Sequence, residues 1–299
     1  MAHMDTAIVA ALAATVGFAA GDVFTALFAR KVSGKASMVL LTGIRLVLYA
    51  PVMLLWHSEF SSLSWTSAAW IILLGALFTT AYLGFNLAMG VGKNPALVGV
   101  VAGSFPATAS FVAIVFLGQR PTLLTIVLLL TVLLGVILIG LPDDWRQSLK
   151  FDQGIALALL PLVCWGVFGA LLNKPVSLIG TPHAWFVVQS LVVVIMVLVS
   201  SVLYNRQIPG FVKETSRLQA WKLVLPAGII IGLAEAAQAL SLGSGQQIVI
   251  IETILGSYPA VYFLIANKIF KEPLHARQGF GIVITAIAII LLSSGVAAS

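Results

Sequence analysis

Long apolar stretches separated by short polar segments run along almost the whole chain. Of its 299 residues, 60% are hydrophobic and 9% are charged, whereas a soluble domain has about 25% charged residues. Each stretch holds about 20 residues, the length that an α-helix needs to cross a bilayer. We predict an all-α integral membrane protein with about ten transmembrane helices. The predicted spans are residues 6–31, 37–56, 66–89, 96–118, 122–140, 153–173, 182–204, 220–242, 248–270 and 275–296.

The second half of the chain repeats short sequences of the first half. The sequence VFTALFARKVS at residues 23–33 returns as VFGALLNKPVS at residues 167–177. Likewise, GSFPA at residues 103–107 returns as GSYPA at residues 256–260. These two pairs indicate that the chain arose by an internal duplication.

The duplication predicts two domains of five transmembrane helices each, at residues 1–143 and 152–299. A unit with an odd number of spans ends on the opposite side of the membrane from its start, so the second unit must be inverted. Inverted repeats are typical of secondary transporters, whose binding site faces each side of the membrane in turn. The predicted fold class is therefore a membrane protein of two inverted five-helix repeats.

The positive charges predict the orientation of the chain. The net charge of +6 comes from residues in the loops and does not indicate nucleic-acid binding. Apart from Arg120 and Lys174, the Lys and Arg residues lie on the side of the odd-numbered connections. The positive-inside rule places that side in the cytoplasm. We therefore expect a multi-pass protein of the plasma (bacterial inner) membrane, with both termini outside.

Four charged residues lie away from the ends of the predicted spans, at depths where a charge is costly and usually paired or functional. Asp22 in span 1 and Arg45 in span 2 lie roughly 13–15 Å from the same edge, given the helical rise of about 1.5 Å per residue. We predict that they form an ion pair, which either locks the two spans together or opens during transport. Glu235 and Glu252 then have no intramembrane base left as a partner.

An unpaired buried carboxylate tends to keep its proton, because desolvation disfavours the charged form. Glu235 and Glu252 are therefore predicted to couple transport to protons or to bind the ammonium group of a substrate. The alternative is that each is a protonated, hydrogen-bonded structural side chain.

Polar and aromatic residues gather near these acids at helical spacing. Such residues could form an aromatic cage for a cationic group, although aromatic stripes often serve only for packing. The predicted substrate-binding residues are Phe18, Tyr82, Phe85, Asn86, Trp165, Glu235, Gln238 and Tyr258. Matched helix breakers in the two halves are predicted to be hinges, and these are Gly103, Pro106, Gly256 and Pro259.

Enzymatic chemistry has little support in the sequence. The segment AAGD at residues 19–22 is similar to an intramembrane aspartyl protease element, but its glycine spacing differs and no other span carries a partner Asp. There is no HExxH motif and no Cys/His cluster for a metal, and the single cysteine, Cys164, lies within a span. We predict no catalytic residue, no metal and no cofactor.

The chain resembles the drug/metabolite transporter superfamily, in its ten-span branch with EamA-type repeats. The resemblance depends on the duplication, on Arg45, on FNLAMGVGKNPALVGVV at residues 85–101, on GSFPA and GSYPA, and on KEP at residues 271–273. It implies that spans 1–4 and 6–9 line a central cavity and that spans 5 and 10 support it from the periphery. Many bacterial members of the superfamily are exporters of small organic solutes. The basic residues that relatives often carry at the N-terminus and after span 2 are absent here.

We therefore predict a secondary transporter of a small amine-containing solute, such as an amino acid, an amine or a cationic drug. It would work by alternating access with proton coupling. The alternative is an uncoupled facilitator or exchanger of neutral metabolites or aromatic amino acids, and a passive channel is a further class. The expected partners are a small-molecule substrate, protons and the lipid bilayer, without nucleic acid, and the expected state is a monomer.

Overall fold

The computed structural model describes residues 2–92, 95–140, 153–243, 248–270 and 275–293, and within these ranges it is helical without any strand. Helices are expected for apolar segments in a bilayer, because each backbone polar group must find its partner within the segment. The helices are α1 (Ala2–Lys31), α2 (Gly34–Leu55), a 3₁₀ turn (His57–Ser62), α3 (Trp65–Val91), α4 (Pro95–Gly103), α5 (Phe105–Val115), α6 (Leu123–Gly140), α7 (Gln153–Leu171), α8 (Asn173–Ile179), α9 (Ala184–Tyr204), α10 (Ile208–Arg217), α11 (Trp221–Gly243), α12 (Ile248–Leu255), α13 (Tyr258–Phe270) and α14 (Ala276–Ser293).

Within the described ranges, 7 helical segments are long and apolar enough to cross a membrane, and they are Thr6–Lys31, Gly34–Leu55, Trp65–Val91, Gln153–Ile179, Ala184–Tyr204, Trp221–Gly243 and Ile248–Ile265. The remaining predicted spans coincide with shorter apolar helices at Val101–Val115, Leu123–Leu138 and Ala276–Ala288. The prediction of an all-helical membrane fold is confirmed. The predicted domain boundaries at 143 and 152 and the KEP turn at 271–273 lie outside the described residues.

Side-chain caps begin several of the long helices. Ser33 precedes α2, and its hydroxyl accepts a hydrogen bond from the Ala36 backbone N–H at 3.1 Å. Ser64 and Ser67 form a reciprocal capping box at the start of α3. A cap of this kind satisfies backbone donors that have no partner within the helix. These polar residues therefore end the connections and fix where the apolar helices begin.

The two GSxPA elements interrupt the helices in which they lie. Proline has no backbone N–H to donate and so breaks a continuous helix. The break separates α4 from α5 in the first half and α12 from α13 in the second half. A Cβ atom at Gly103 would lie 2.6 Å from Cγ of Pro259, and a Cβ atom at Gly256 would lie 3.0 Å from Cγ of Pro106. The predicted hinge residues of the two halves therefore contact each other reciprocally.

Helices of the first half pack mainly against helices of the second half. Helix α1 packs along α11, and α3 packs along α7. Two further sets of helix pairs correspond between the halves. Helix α5 packs on α7 as α13 packs on α1, and α3 packs on α9 as α11 packs on α2. Helix α6 packs mostly against α14 through a separate apolar cluster that includes Leu128, Val132 and Ala288. The central helices therefore interlock between the halves.

We predict that Gly103→Ala destabilises the protein by about 1–3 kcal/mol, the usual cost of adding a methyl group to a well-packed core. Gly43→Ala is the matched control, because a Cβ atom at Gly43 would have nothing within 4 Å. It should be neutral or add up to about 1 kcal/mol of helix stability. The measurement is unfolding of the purified protein in detergent. Equal stability of the two variants would contradict the close contact at the helix breaks.

Candidate functional site

A cavity lies between the two halves of the chain. Helices α1, α3 and α5 of the first half and α7, α11 and α13 of the second half line it. Its walls are largely aromatic, with one carboxylate and one amide group. The lining residues are Phe18, Asp22, Phe78, Tyr82, Phe105, Trp165, Gln238 and Tyr258.

Trp165 is the centre of the aromatic wall. Its ring centroid lies 5.4 Å from that of Tyr82, 5.3 Å from that of Phe85 and 5.9 Å from that of Phe105. The Tyr82 and Phe105 rings meet it edge-on, which is a favoured geometry for aromatic pairs. The indole Nε1 of Trp165 is buried without a hydrogen-bond partner among the described residues. The wall therefore presents π faces and one donor that the protein leaves unsatisfied.

Close packing of α1 on α11 brings Asp22 into the cavity. A Cβ atom at Gly17 would lie 2.8 Å from Cβ of Ala234, and one at Gly21 would lie 2.4 Å from Cγ1 of Ile231. Small residues allow this approach, as is common between membrane helices. Asp22 follows directly after this contact surface, and the residue is 7% exposed. Its carboxylate is the acidic group of the cavity lining.

Arg45 and Glu235 form a fully buried ion pair beside the cavity. Arg45 Nη1 donates a hydrogen bond to Glu235 Oε1, and both side chains are 0% exposed. Arg45 Nε donates to the Leu41 carbonyl at 3.2 Å, and the guanidinium lies 4.1 Å from the centroid of the Tyr82 ring. Tyr82 also lines the cavity, so its ring lies between the ion pair and the cavity.

The predicted ion pair of Asp22 with Arg45 is wrong, because Arg45 pairs with Glu235. The prediction that Glu235 has no intramembrane base is wrong for the same reason. Two glycines of α11 explain the pairing. A Cβ atom at Gly228 would lie 2.6 Å from Cγ2 of Ile44, and one at Gly232 would lie 3.2 Å from Cγ of Arg45. Helix α2 therefore packs closely on α11 and turns its arginine toward Glu235, a contact that equal depth in the membrane does not reveal.

The cavity brings together most of the predicted substrate-binding residues. Those that line it are Phe18, Tyr82, Trp165, Gln238 and Tyr258. The other three lie behind the wall. Phe85 packs on Trp165, Asn86 Nδ2 donates to the Tyr82 carbonyl at 2.9 Å, and Glu235 is held by Arg45.

The sequence-based prediction missed Phe78 and Phe105, and counted Asp22 only as an ion-pair residue. Phe78 precedes Tyr82 by one helical turn and so shares its face. Phe105 occupies the position in GSFPA that Tyr258 occupies in GSYPA. Both signals were therefore present in the helical period and in the internal repeat.

Glu252 on α12 lies apart from this cavity and remains without a partner, as the sequence predicted. It is 0% exposed, and neither carboxylate oxygen has a hydrogen-bond partner among the described residues. Its carboxylate lies against the backbone of α7 at Gly169, where a Cβ atom would come within 2.1 Å of Oε1. Among the residues that the structure describes, no group of three or more His, Cys, Asp or Glu side chains could hold a metal ion.

We predict that Glu235→Gln destabilises the protein by about 3–5 kcal/mol, because it leaves the Arg45 guanidinium buried without its counter-ion. The matched control is Asp22→Asn, which removes a carboxylate without an ion-pair partner among the described residues and should cost much less. In an Arg45→Gln background, the loss from Glu235→Gln should shrink, which a double-mutant cycle of unfolding free energies measures. A second cycle with Arg45→Gln and Asp22→Asn measures the other pair, and stronger coupling of Arg45 to Asp22 than to Glu235 would contradict the observed pairing.

Comparison with known proteins agrees with this architecture. A solved structure described only as "Crystal structure of protein" superposes with a TM-score of 0.70 at 15% sequence identity, and the match covers 95% of this chain and 99% of that chain. At this identity the likeness shows the fold alone. No curated protein matches the chain. The EamA-like transporter family matches residues 5–141, which hold Asp22, Arg45 and four of the aromatic residues of the cavity. Over these residues the chain is similar to the EamA-like transporter family, which is consistent with the predicted resemblance to the drug/metabolite transporter superfamily.

Proposed function

We propose that the protein is a secondary transporter of a small organic cation with an amine group, working by alternating access with proton coupling. The observation that carries this proposal is the chemistry of the central cavity. Six aromatic side chains surround one carboxylate, Asp22. A cation over an aromatic face gains about 0.5–2 kcal/mol from the ring quadrupole, and the carboxylate supplies the opposite charge.

The cavity favours amines and cationic drugs over amino acids. An amino acid also carries a carboxylate, which needs a cationic or strongly donating partner when it leaves water. The described cavity lining contains no Lys or Arg. Arg45, the nearest guanidinium, is covered by Tyr82 and neutralised by Glu235. The uncoupled exchange of neutral metabolites or aromatic amino acids stays the alternative, and the aromatic wall would suit it if Asp22 were protonated.

Alternating access by two inverted repeats is supported by how the helices pair. Matched pairs of helices cross between the halves, and the two GSxPA breaks contact each other at the centre. An inverted duplication would produce such exchanged pairs. We propose that residues 1–143 and 152–299 form these repeats, with ten spans in total. Both termini would lie outside the plasma membrane, and the protein would act as a monomer.

Proton coupling would follow from competition at Asp22. A protonated carboxyl group is neutral and no longer attracts an organic cation. The proton and the cation therefore compete for Asp22, and binding of one favours release of the other. Glu235 has a separate role in this scheme, because its charge is already balanced by Arg45. The arrangement would therefore exchange solute for protons, as an antiporter does.

We predict that amines raise the unfolding temperature of the purified protein, and that they do so more strongly at mildly alkaline than at mildly acidic pH. The sign follows because protons and the cation compete for Asp22. A ligand at about 100 times its Kd should add about 2.7 kcal/mol of stability. Asp22→Asn should abolish the effect, while the matched amide variant Glu252→Gln, outside the cavity, should keep it.

A thermal-shift screen of amines, amino acids, sugars and nucleotides provides this measurement. Stabilisation by a neutral or zwitterionic solute, without pH dependence and unaffected by Asp22→Asn, would contradict the amine proposal and favour the neutral exchanger. Counterflow into preloaded vesicles separates both from a channel, because a channel shows no stimulation by solute on the far side.

A further inference from the structure

Besides the central cavity, the structure has a second pocket, which lies beside Glu252 and has a polar lining. Its polar lining comes from Gln119, Asn173, Lys174 and Ser177. Gln119 follows α5 and Lys174 follows α7, so the pocket lies on the side of the even-numbered connections. Lys174 and Ser177 are exposed, and a charged ammonium group is costly in lipid, so we place this opening of the pocket in water. We call it the polar pocket.

Helix α7 and the start of α8 run from the central cavity to the polar pocket. Trp165 and Gly169 lie on α7, where Trp165 lines the cavity and Gly169 touches the Glu252 carboxylate, and Asn173, the first residue of α8, lines the polar pocket. These residues are four apart, and Leu172 between the two helices also has a helical backbone, so the three residues share one face. Each step along the axis is about 6 Å, given a rise of about 1.5 Å per residue. The Glu252 carboxylate thus lies midway between the two spaces.

Helix α12 gives the same placement independently. Ile248 lines the polar pocket and precedes Glu252 by one helical turn. The backbone N–H of Val249 donates to Gln119 Oε1 at 3.4 Å, which joins the start of α12 to the pocket wall. Glu252 is therefore about one turn below a solvent-exposed polar surface while being 0% exposed itself.

The surroundings of Glu252 offer no counter-charge among the described residues. The helices packed against α12 are α1, α5, α6, α7, α11 and α14. Their described titratable or charged groups at membrane depth are Asp22, Cys164 and Glu235, with Arg277 at the start of α14. Neither Glu252 oxygen accepts a hydrogen bond from any of them. Lys174 lines the polar pocket but forms no ion pair with Glu252.

We infer that Glu252, seated on Gly169, is a proton-binding site that exchanges its proton with the polar pocket, and that it is separate from the solute site at Asp22. An isolated carboxylate is far more costly to bury than a neutral carboxylic acid, so the closed site holds the proton. Water that advances by one helical turn from the pocket would remove it. The use of this proton in transport rests on the proposed function, whereas the proton site itself does not.

The glycine at 169 is part of this site. Any side chain there would occupy the position of Glu252 Oε1, since even a Cβ atom would come within 2.1 Å of it. Gly169→Ala should therefore displace the carboxyl group from its seat without changing a titratable residue. Its predicted consequence is a shifted carboxyl vibration, with the Glu252 side chain still present.

Infrared spectroscopy of the full chain in lipid nanodiscs tests the inference without a solute. The C=O stretch of a protonated buried carboxyl should appear in the difference spectrum between acidic and alkaline buffer. Glu252→Gln should abolish one such band, and Asp22→Asn should leave that band in place. If no band is lost in Glu252→Gln, Glu252 does not bind the proton and the inference is wrong.

Hydrogen–deuterium exchange of the same band tests the access route. In a Cys164→Ala background, Ser177→Cys places one thiol in the polar pocket, and a bulky methanethiosulfonate reagent would then fill it. Exchange of the Glu252 band should slow after modification and recover after reduction of the mixed disulfide. Leu178→Cys is the matched control, because Leu178 is the exposed neighbour on the same helix and lies outside the pocket. If the Glu252 band exchanges as fast in the modified Ser177→Cys protein as in the unmodified one, the proton does not pass through the polar pocket.

The two proposals fail in different ways. If amines do not stabilise the protein but the Glu252 band titrates and its exchange is blocked, the transport proposal is wrong and the proton site stands. If amines bind through Asp22 and the band is absent, the proton site is wrong and the solute site stands.

Discussion

The cost of burying a charge in an apolar interior determines how this molecule is arranged. Arg45 is a base at membrane depth, and its guanidinium is fully buried. An ion that leaves water is tolerated only if a close partner and further hydrogen bonds compensate the lost hydration. Glu235, the Leu41 carbonyl and the Tyr82 ring supply this compensation. Because these groups come from α2, α3 and α11, the ion pair fixes the relative position of both halves.

The ion pair also shapes the neighbouring cavity. The Tyr82 ring stacks on the guanidinium on one side and lines the cavity on the other. It therefore screens a positive charge from any solute in the cavity, where only the Asp22 carboxylate remains as a formal charge among the described lining residues. Glycines make this layout possible. Gly228 and Gly232 leave room for side chains of α2. Gly17 and Gly21 let α11 approach α1 closely beside Asp22. In a membrane, where apolar surface is plentiful, such close backbone approach is a main source of helix association.

Periodicity and repetition in the sequence were enough to predict the helices and much of the cavity. Long apolar runs predicted the helices, and proline in the two GSxPA elements predicted the breaks in the helices. Five of the eight predicted substrate-binding residues line one cavity, because helical spacing places Phe18, Tyr82 and Gln238 on faces with other polar or aromatic groups. The partner of Arg45 could not be predicted in this way. Depth along a helix follows from residue number, but the direction a side chain points depends on which helix packs against it. The direction of the Arg45 side chain depends on Gly228 and Gly232 of α11, which lie more than 180 residues after Arg45 in the chain.

Three buried carboxylates among the described residues show how one chemical group takes different roles in different surroundings. Glu235 has a guanidinium in contact and contributes to the fold. Asp22 lines the central cavity among aromatic rings, and in the proposed function its negative charge binds the ligand. Glu252 has neither a counter-ion nor a hydrogen-bond donor among the described residues. Its carboxylate contacts the backbone of α7 at Gly169, which has no side chain. The proposed repeat aligns none of the three with another acid: it aligns Asp22 with Gly166, and Glu235 and Glu252 with Gly84 and Gly99. If the two halves are repeats, as we propose, the shared scaffold supplies the cavity and the crossing of the helices, whereas the chemistry comes from residues that break its symmetry. A site built from such residues is itself asymmetric, so in the proposed function the two directions across the membrane would not be equivalent for a solute or a proton that meets these carboxylates in turn.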